Sequence, residues 1–275
     1  MYPNTYKTKI NNPFLVAWLV LLLALVAGLF ALAINKSAAA RAVYIKPLAS
    51  THITYPLQSL SETTPAPRPV TVTPTHDYVI PPVVNGAVPV ISRIPTTEKV
   101  AFLTIDDGIV TSPSDAQLMQ AGSAKATFFL VYRFISTDYS FFNDLAIRTG
   151  SDIENHTYDH YLLTNLTYDQ QKVDICKNAD QFSAWFGRRP VLLRPSGGAY
   201  DDITLHAAAD CGMKAIILWD ASINNGVIKY QNSSKMRPGD IVLMHFRSTF
   251  QEDLDAFVKA ANSAGLQPEL LVDWL

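Results

Sequence analysis

Short apolar runs alternate with amphipathic stretches from residue 99 to the C-terminus. Runs that are almost entirely apolar predict strands buried on both faces, as in a parallel sheet. They cover residues 100–105, 126–131, 191–193, 215–218 and 241–244, with a weaker candidate at Asp152–Asn155. Helices are predicted between them, at Tyr168–Phe186, 202–211 and 252–264, and a glycine follows each one. Alternating strands and helices indicate an α/β fold with a parallel sheet or barrel.

The N-terminal part of the chain has a different pattern. Residues 14–34 carry no charged side chain and consist mostly of Leu, Val and Ala. As a helix this run would extend roughly 30 Å, which matches the hydrocarbon core of a bilayer. It predicts a single-pass signal anchor after a cytoplasmic segment, residues 1–13; the alternative is a signal peptide cleaved near residues 37–40. Either interpretation exports the rest of the chain, to the outer face of the cell membrane or as a secreted protein.

Residues 35–97 predict an extracytoplasmic spacer. Pro, Thr and Val alternate there without a helical period, which is typical of extended, semi-rigid chain. The last part, residues 78–91, is apolar enough to dock on the folded domain instead. That domain is predicted for residues 98–275.

Composition narrows the class of protein. The 275 residues carry a formal net charge of -2 and are 48% hydrophobic, which suits one globular domain with appendages. Without a basic surplus there is no electrostatic case for a nucleic-acid partner. The two cysteines, Cys176 and Cys211, predict one disulfide in an exported chain, with two buried thiols as the alternative.

Polar residues that could take part in catalysis or metal binding follow the predicted strands. In parallel α/β folds the carboxyl ends of the strands gather into one site. The residues found at or just beyond these ends are Asp106, Asp107, His156, His160, Arg194, Trp219, Asp220 and His245. Each has an ordinary structural explanation when taken singly, but their shared position predicts a single active site.

The residue types in this set indicate a catalytic metal centre. Two imidazoles and one carboxylate would supply three protein ligands and leave a fourth position for water or substrate. Zn²⁺ suits such ligands, with Co²⁺, Ni²⁺ or Mn²⁺ as alternatives. A second carboxylate could then act as general base and another histidine as general acid. This equipment is what hydrolysis of an amide or ester requires.

Four motifs, in order, resemble those of the polysaccharide deacetylases, also called the NodB-homology domain or carbohydrate esterase family 4. They are Thr-Ile-Asp-Asp-Gly at 104–108, His-Thr-Tyr-Asp-His at 156–160, Arg-Pro-Ser-Gly-Gly at 194–198 and Leu-Met-His at 243–245. The resemblance implies an irregular (β/α) barrel with fewer than eight strands. It also implies a metal-dependent hydrolase that acts on N-acetylated polysaccharide.

The resemblance assigns a role to each residue of the metal side. Asp106 would be the general base, oriented by Arg194. The metal ligands would be Asp107, His156 and His160.

The resemblance also assigns roles to the residues that would contact the substrate. The backbone N–H of Gly197 would stabilise the oxyanion, as preorganised donors do. Leu243 would line the pocket for the acetyl methyl group, with Trp219 also at the substrate site. His245 would protonate the leaving amine.

One family motif is altered. The family usually has an acid-rich segment ending in Asp-x-x-Asp-Trp, which orients the acid histidine. Here Ser222 and Asn225 stand where acids are expected, and Gly226 replaces the closing Trp. Asp220 is the remaining carboxylate, and it is predicted to partner His245; the alternative is that it caps the following loop.

The function predicted from the sequence is removal of N-acetyl or O-acetyl groups from extracytoplasmic polysaccharide, such as peptidoglycan or a chitin-like glycan. The alternative is a membrane-tethered, metal-containing glycan-binding pseudoenzyme. A serine hydrolase is disfavoured because Ser196 lacks the Gly-x-Ser-x-Gly elbow.

Overall fold

The computed structural model describes residues 76–275. The predicted cytoplasmic segment 1–13, the predicted anchor 14–34 and residues 35–75 of the predicted spacer lie outside the described residues and stay predictions. Within residues 76–275, no helix combines the length and apolar character needed to cross a membrane.

The described chain contains ten strands and six α-helices. The strands are β1 (Val90–Ile91), β2 (Val100–Asp107), β3 (Thr127–Leu130), β4 (Asp152–Asn155), β5 (Leu192–Leu193), β6 (Ala215–Ile217), β7 (Ala221–Asn224), β8 (Val227–Tyr230), β9 (Ile241–His245) and β10 (Gln267–Pro268). The helices are α1 (Asp115–Ala121), α2 (Tyr132–Ile135), α3 (Tyr139–Thr149), α4 (Tyr168–Phe186), α5 (Asp202–Asp210) and α6 (Phe250–Ala264).

The strands form one sheet in the order β1-β6-β5-β4-β3-β2-β9-β7-β8, with β10 paired to β2. Every pairing between these strands is parallel except the β7–β8 hairpin. The prediction of an α/β fold with parallel strands is confirmed, and the sheet is half-barrel-like, with edges at β1 and β8. Because the ladders are parallel, the carboxyl ends of β2, β4, β5 and β9 share one rim.

Side chains alternate between the two faces of the sheet along β2. Leu103 and Ile105 are fully buried in the cluster that contains the helix side chains. Phe102 belongs to a separate buried cluster that contains no residue of the six α-helices. Thr104 and Asp106 follow Phe102 with a period of two, so they lie on the same face of the sheet as Phe102.

Helix α4 is fixed at its ends and in its middle. Thr167 and Gln170 form a reciprocal capping box at the start, and Gly187 ends the helix with φ of 72°. Cys176 of α4 forms a disulfide with Cys211, the residue after α5, and the two Cα atoms lie 4.9 Å apart. The bond ties α4 to its neighbour α5.

The segment before residue 98 packs on the domain. β1 is an edge strand whose Val90 lies opposite Ile216 of β6. Ile80 and Val88 are buried. The folded domain therefore begins before residue 98 and includes the apolar segment 78–91.

The altered fourth motif folds as the β7–β8 hairpin. Asn225 and Gly226 form its turn with φ values of 52° and 71°, which are typical of a two-residue type I′ turn. The N–H of Gly226 also donates to the carboxylate of Asp253 on α6, at 2.7 Å. A strand–turn–strand unit rather than an acid-bearing loop thus lies beside β9.

Candidate active site

The shared rim of the sheet collects the residues predicted from the sequence. Asp106 and Asp107 end β2, and Asp106 is the register partner of His245 at the end of β9. His156 directly follows β4, and Arg194 directly follows β5. Parallel pairing therefore brings four separate segments of the chain to one place.

Within residues 76–275, one group of side chains could hold a metal ion: Asp107, His156 and His160. Their potential ligand atoms all lie within 4.8 Å of one another. The Oδ1 atom of Asp107 lies 3.6 Å from Nε2 of His156 and 3.4 Å from Nε2 of His160. Tetrahedral ligands at about 2.0–2.1 Å from a zinc ion are roughly 3.3 Å apart. The donor set and its spacing fit a divalent ion such as Zn²⁺.

The tautomer of His156 is set by its other ring nitrogen. Nδ1 lies 2.6 Å from the carbonyl oxygen of Arg194, so it carries the hydrogen and donates it. In the neutral ring the lone pair is then on Nε2, which faces Asp107. Metal-binding histidines usually have such a second hydrogen bond, which fixes ring orientation and raises basicity.

Asp106 and Arg194 form a buried ion pair beside this group. The exposed fractions of the two residues are 2% and 0%, and Nη1 of Arg194 donates to Oδ1 of Asp106 at 2.8 Å. The guanidinium also donates to the hydroxyl of Thr104 and to the carbonyls of Ile217 and Leu218, at 2.7, 3.1 and 3.0 Å. Its position is thus fixed by four acceptors, and the buried carboxylate has a compensating charge.

The second oxygen of Asp106 faces the candidate metal group. Its Oδ2 lies 3.5 Å from Nε2 of His156. Asp106 is therefore next to the three ligand-type residues but is held by Arg194, which suits a base rather than a ligand.

Electrostatics favour an ionised ligand at Asp107. Burial raises the pKa of this carboxyl group. The neighbouring histidines, His156 foremost, lower the pKa by more than burial raises it, so the net shift is downward. Burial lowers the pKa of His160, and the adjacent His156 lowers it again. An anionic carboxylate beside a neutral imidazole is the state in which both groups can bind a cation.

The backbone takes uncommon conformations at this group. Asp107, Thr157 and His160 have positive φ values of 77°, 70° and 62°. Non-glycine residues rarely adopt this region, and such residues cluster at functional sites. Gly108, with φ of 91°, could not be replaced easily, because a Cβ there would lie 2.4 Å from Cγ2 of Ile135.

The predicted substrate-side residues border the same rim. Gly197 lies in the 3₁₀ turn Ser196–Gly198 that follows Arg194. Leu243 is the register partner of Thr104 and is 5% exposed. Trp219 packs so closely on Gly198 that a Cβ there would be 2.9 Å from the indole ring.

The predicted pairing of Asp220 with His245 is wrong. Oδ1 of Asp220 accepts a hydrogen bond from Asn232 at 2.6 Å, and Oδ2 forms an ion pair with Arg237. The N–H of Asp220 donates to the carbonyl of Ile241, at the start of β9, whereas His245 ends that strand. Four residues of strand correspond to about 13 Å. The parallel register of β7 on β9 thus separates the two side chains.

No carboxylate of residues 76–275 forms a hydrogen bond or ion pair with His245. Its Nδ1 is buried and has no hydrogen-bond partner among residues 76–275. Burial lowers the pKa of His245; Asp106 and Asp107 oppose that shift, Arg247 adds to it, and the net direction is downward. Arg247 itself donates to the side-chain oxygen of Asn224 at 2.8 Å. Asn224 of the hairpin therefore binds Arg247, a cation two residues after His245 in the chain, and supplies no acid there.

Buried polar residues of α4 also border the site, and they are not among the residues predicted from the sequence. Asp174 accepts the backbone N–H of Asp159, which lies between His156 and His160 in the chain, at 3.0 Å. Asn178 donates to the side-chain oxygen of Asn155 at 2.8 Å. Gln171, Asp174 and Asn178 recur at helical spacing on the buried side of α4. Polar residues in a stripe that is ordinarily apolar could have marked this face.

Comparison with known proteins gives matches over the same region. A family model described as "Polysaccharide deacetylase" matches residues 93–216. A peptidoglycan-N-acetylglucosamine deacetylase of Bacillus cereus is 30% identical over 169 residues, which cover 56% of this chain and 75% of that protein. An uncharacterized protein of Streptomyces coelicolor is 37% identical over 158 residues. Those residues cover 56% of this chain but 62% of the relative, less than two thirds of its length.

Solved structures share the fold. A carbohydrate esterase family 4 pseudoenzyme from Bacillus anthracis superposes with a TM-score of 0.58 at 24% identity, covering 67% of this chain and 68% of that chain. A mutant of the same pseudoenzyme is described as having restored enzymatic activity. The fold therefore occurs in both active and inactive proteins.

Proposed function

This chain belongs to the polysaccharide deacetylase family, whose deacetylases are hydrolases of N-acetyl amide bonds, and we propose that it is itself a metal-dependent deacetylase of polysaccharide. The observation that carries the proposal is the group Asp107, His156 and His160 beside the Asp106–Arg194 pair. These are the ligands, base and orienting cation that the reaction needs.

The proposed substrate is an extracytoplasmic glycan that carries N-acetyl or O-acetyl groups, such as peptidoglycan or a chitin-like polymer of N-acetylglucosamine. The Bacillus cereus relative, described as acting on peptidoglycan N-acetylglucosamine, supports this class of substrate. We further propose that residues 14–34 anchor the chain in the cell membrane, with the folded domain outside.

Asp107, His156 and His160 would hold the divalent ion, for which Zn²⁺ suits the donor set and Co²⁺, Ni²⁺ or Mn²⁺ are alternatives. When bound, such an ion lowers the pKa of a water molecule and polarises a carbonyl group. Asp106 would accept the proton of the attacking water at its Oδ2 atom. Arg194, bonded to Oδ1, keeps that carboxylate in one orientation.

The substrate side of the site would bind the acetyl group. The N–H of Gly197 would donate to the oxygen that gains negative charge as the carbonyl is attacked. Leu243 would pack against the acetyl methyl group, with Trp219 nearby at the rim. His245 would give a proton to the leaving nitrogen or oxygen.

Acetate release from a panel of N- and O-acetylated glycans tests the proposal. The full-length chain should release acetate, lose this activity with a chelator and regain it when Zn²⁺ or Co²⁺ is restored. A metal-loaded, folded chain that releases no acetate from any member of the panel would contradict the proposal.

A second candidate is a membrane-tethered, metal-containing glycan-binding pseudoenzyme. It is favoured by one observation, that the buried Nδ1 of His245 has no hydrogen-bond partner in residues 76–275. This candidate predicts glycan binding by the metal-loaded chain without acetate release.

A further inference from the structure

The loop between the two ligand histidines is held in an unfavourable backbone conformation. Thr157 and His160 both have positive φ, at 70° and 62°. The left-handed region costs roughly 1–2 kcal/mol for each non-glycine residue. Neighbouring structure must therefore hold the loop if His156 and His160 are to face the same point.

Two polar side chains of α4 hold the loop at its two ends. Asp174 accepts the N–H of Asp159, the residue directly before His160, at 3.0 Å. Asn178 donates to Oδ1 of Asn155 at 2.8 Å, and that oxygen also accepts the N–H of Thr157 at 2.8 Å. The backbone on both sides of the loop is thus bonded to one helix, directly or through Asn155.

The side chain in the middle of the loop is also clamped. The ring of Tyr158 stacks on Tyr132, with centroids 3.9 Å apart and an angle of 12° between the planes. Lys177 lies on α4 between Asp174 and Asn178. Its Nζ atom is 3.8 Å from the centroid of the Tyr158 ring. A cation at that distance from an aromatic centroid is attracted to the ring.

Asp174 differs from the other contacts because it is a charged acceptor. It is 6% exposed, and its Oδ2 has no hydrogen-bond partner within the described residues. A carboxylate that accepts a backbone N–H makes a stronger bond than a neutral acceptor does. The helix that carries it is fixed by a capping box and a disulfide, so the acceptor has a defined position.

We propose that Asp174 is a positioning residue of the metal centre, which fixes the peptide before His160 and thereby sets the affinity of the site for a divalent ion. The proposal rests on the proposed metal site and not on turnover. Outer partners of metal ligands typically contribute about 10–100-fold in metal affinity. We expect an effect of that size here, although Asp174 would touch neither metal nor substrate.

Titration of the full-length chain with Co²⁺ tests this, with affinity and the visible absorption spectrum of the bound ion as the two readouts. Asp174→Leu, similar in size but without an acceptor, should weaken Co²⁺ binding about 10-fold or more and change the spectrum. Asp174→Asn, which keeps an acceptor oxygen, should recover most of the affinity. Asp174→Ser, whose hydroxyl is too short to reach the N–H, should behave like Asp174→Leu and replaces it if that variant does not fold.

Asp253 provides the matched control. It is a fully buried aspartate on α6 that accepts a backbone N–H, from Gly226, and its other oxygen accepts the hydroxyl of Thr249. Asp253→Leu should lower stability but leave the affinity and spectrum of Co²⁺ unchanged. Wild-type affinity in folded Asp174→Leu or Asp174→Ser, or equal weakening by Asp253→Leu, would overturn the proposal. Failure of the wild-type chain to bind Co²⁺ would instead contradict the metal site and the proposed function.

Discussion

The two sides of the site differ in how completely their polar groups are paired. On the metal side, Asp106, Arg194 and His156 are buried, and each has a hydrogen bond or ion pair within the protein. On the acid side, His245 has a buried Nδ1 without a partner in the described chain. The groups on the metal side are therefore held in position by hydrogen bonds, whereas the Nδ1 atom of His245 on the acid side has no hydrogen bond within the described residues.

This difference separates two parts of one reaction. In the proposed mechanism, binding an ion and activating water depend on the metal side, where positions are fixed before substrate arrives. Protonating the leaving group depends on the acid side, where a carboxylate would normally fix the histidine tautomer and stabilise its charge. The chain should therefore retain the first half of the chemistry in full and perform the second half less well.

The largest expected effect on turnover comes from the substitution of Asp106, the proposed base, and the matching substitution of Asp107 distinguishes base from metal ligand. Asp106→Asn should lower turnover by about 10²–10⁴-fold, the usual contribution of a positioned base, with metal content unchanged. Asp107→Asn should lose most of the bound metal. Metal analysis of both purified variants checks this; loss of metal from Asp106→Asn with retention by Asp107→Asn would reverse the two assignments.

Removing one partner of the buried ion pair should destabilise the fold more than removing one partner of a surface pair. Arg194→Met would leave Asp106 buried without its counter-charge, at a cost of about 3–5 kcal/mol in the free energy of unfolding. Arg148→Met is the matched control, because the side chains of Arg148 and its partner Asp144 are 45% and 63% exposed, and exposed pairs contribute about 0–1 kcal/mol. Urea denaturation measures both; equal losses would show that the buried pair has no special role.

Asp220 should behave as a structural residue rather than a partner of His245. The carboxylate of Asp220 accepts a hydrogen bond from Asn232 and forms an ion pair with Arg237. Asp220→Asn should therefore lower the free energy of unfolding by about 1–3 kcal/mol. Turnover per folded molecule should stay unchanged. A strong loss of turnover at wild-type stability would restore the pairing inferred from the sequence.

The smallest expected effect is at His245 itself. A well-supported general acid contributes about 10²–10⁴-fold. His245 has no acid partner within residues 76–275, so His245→Gln should reduce turnover about 10-fold or less. The ratio of this loss to that of Asp106→Asn measures the asymmetry of the two sides. Equal losses would mean that the two sides are equally competent.

Local patterns allowed the sequence to predict much of the metal side. The bounds of Asp152–Asn155 and Tyr168–Phe186 agree with β4 and α4, because apolar periodicity, an N-cap threonine and a terminal glycine are short-range features. Parallel strands then bring their carboxyl ends together whatever the exact bounds. The convergence of Asp107 and His156 follows from that rule.

Features that depend on long-range register could not be predicted in the same way. The position of Asp220 depends on how β7 aligns with β9, where Ala221 lies opposite Val242, and no local pattern encodes that alignment. Asn-Gly at 225–226 is by contrast a local hairpin pattern, and the structure has the turn there. The role of Asp174 likewise depends on which residue its helix face meets.

The decisive measurement is acetate release by the full-length wild-type chain and by Asp106→Asn, both loaded with Zn²⁺ to the same content. A metal-dependent deacetylase with Asp106 as its base should show chelator-sensitive release in the wild-type chain and almost none in Asp106→Asn, although both bind the metal and an N-acetylated glycan. Absence of release from both proteins, with metal and glycan bound, would contradict the assignment as an enzyme and support the glycan-binding pseudoenzyme.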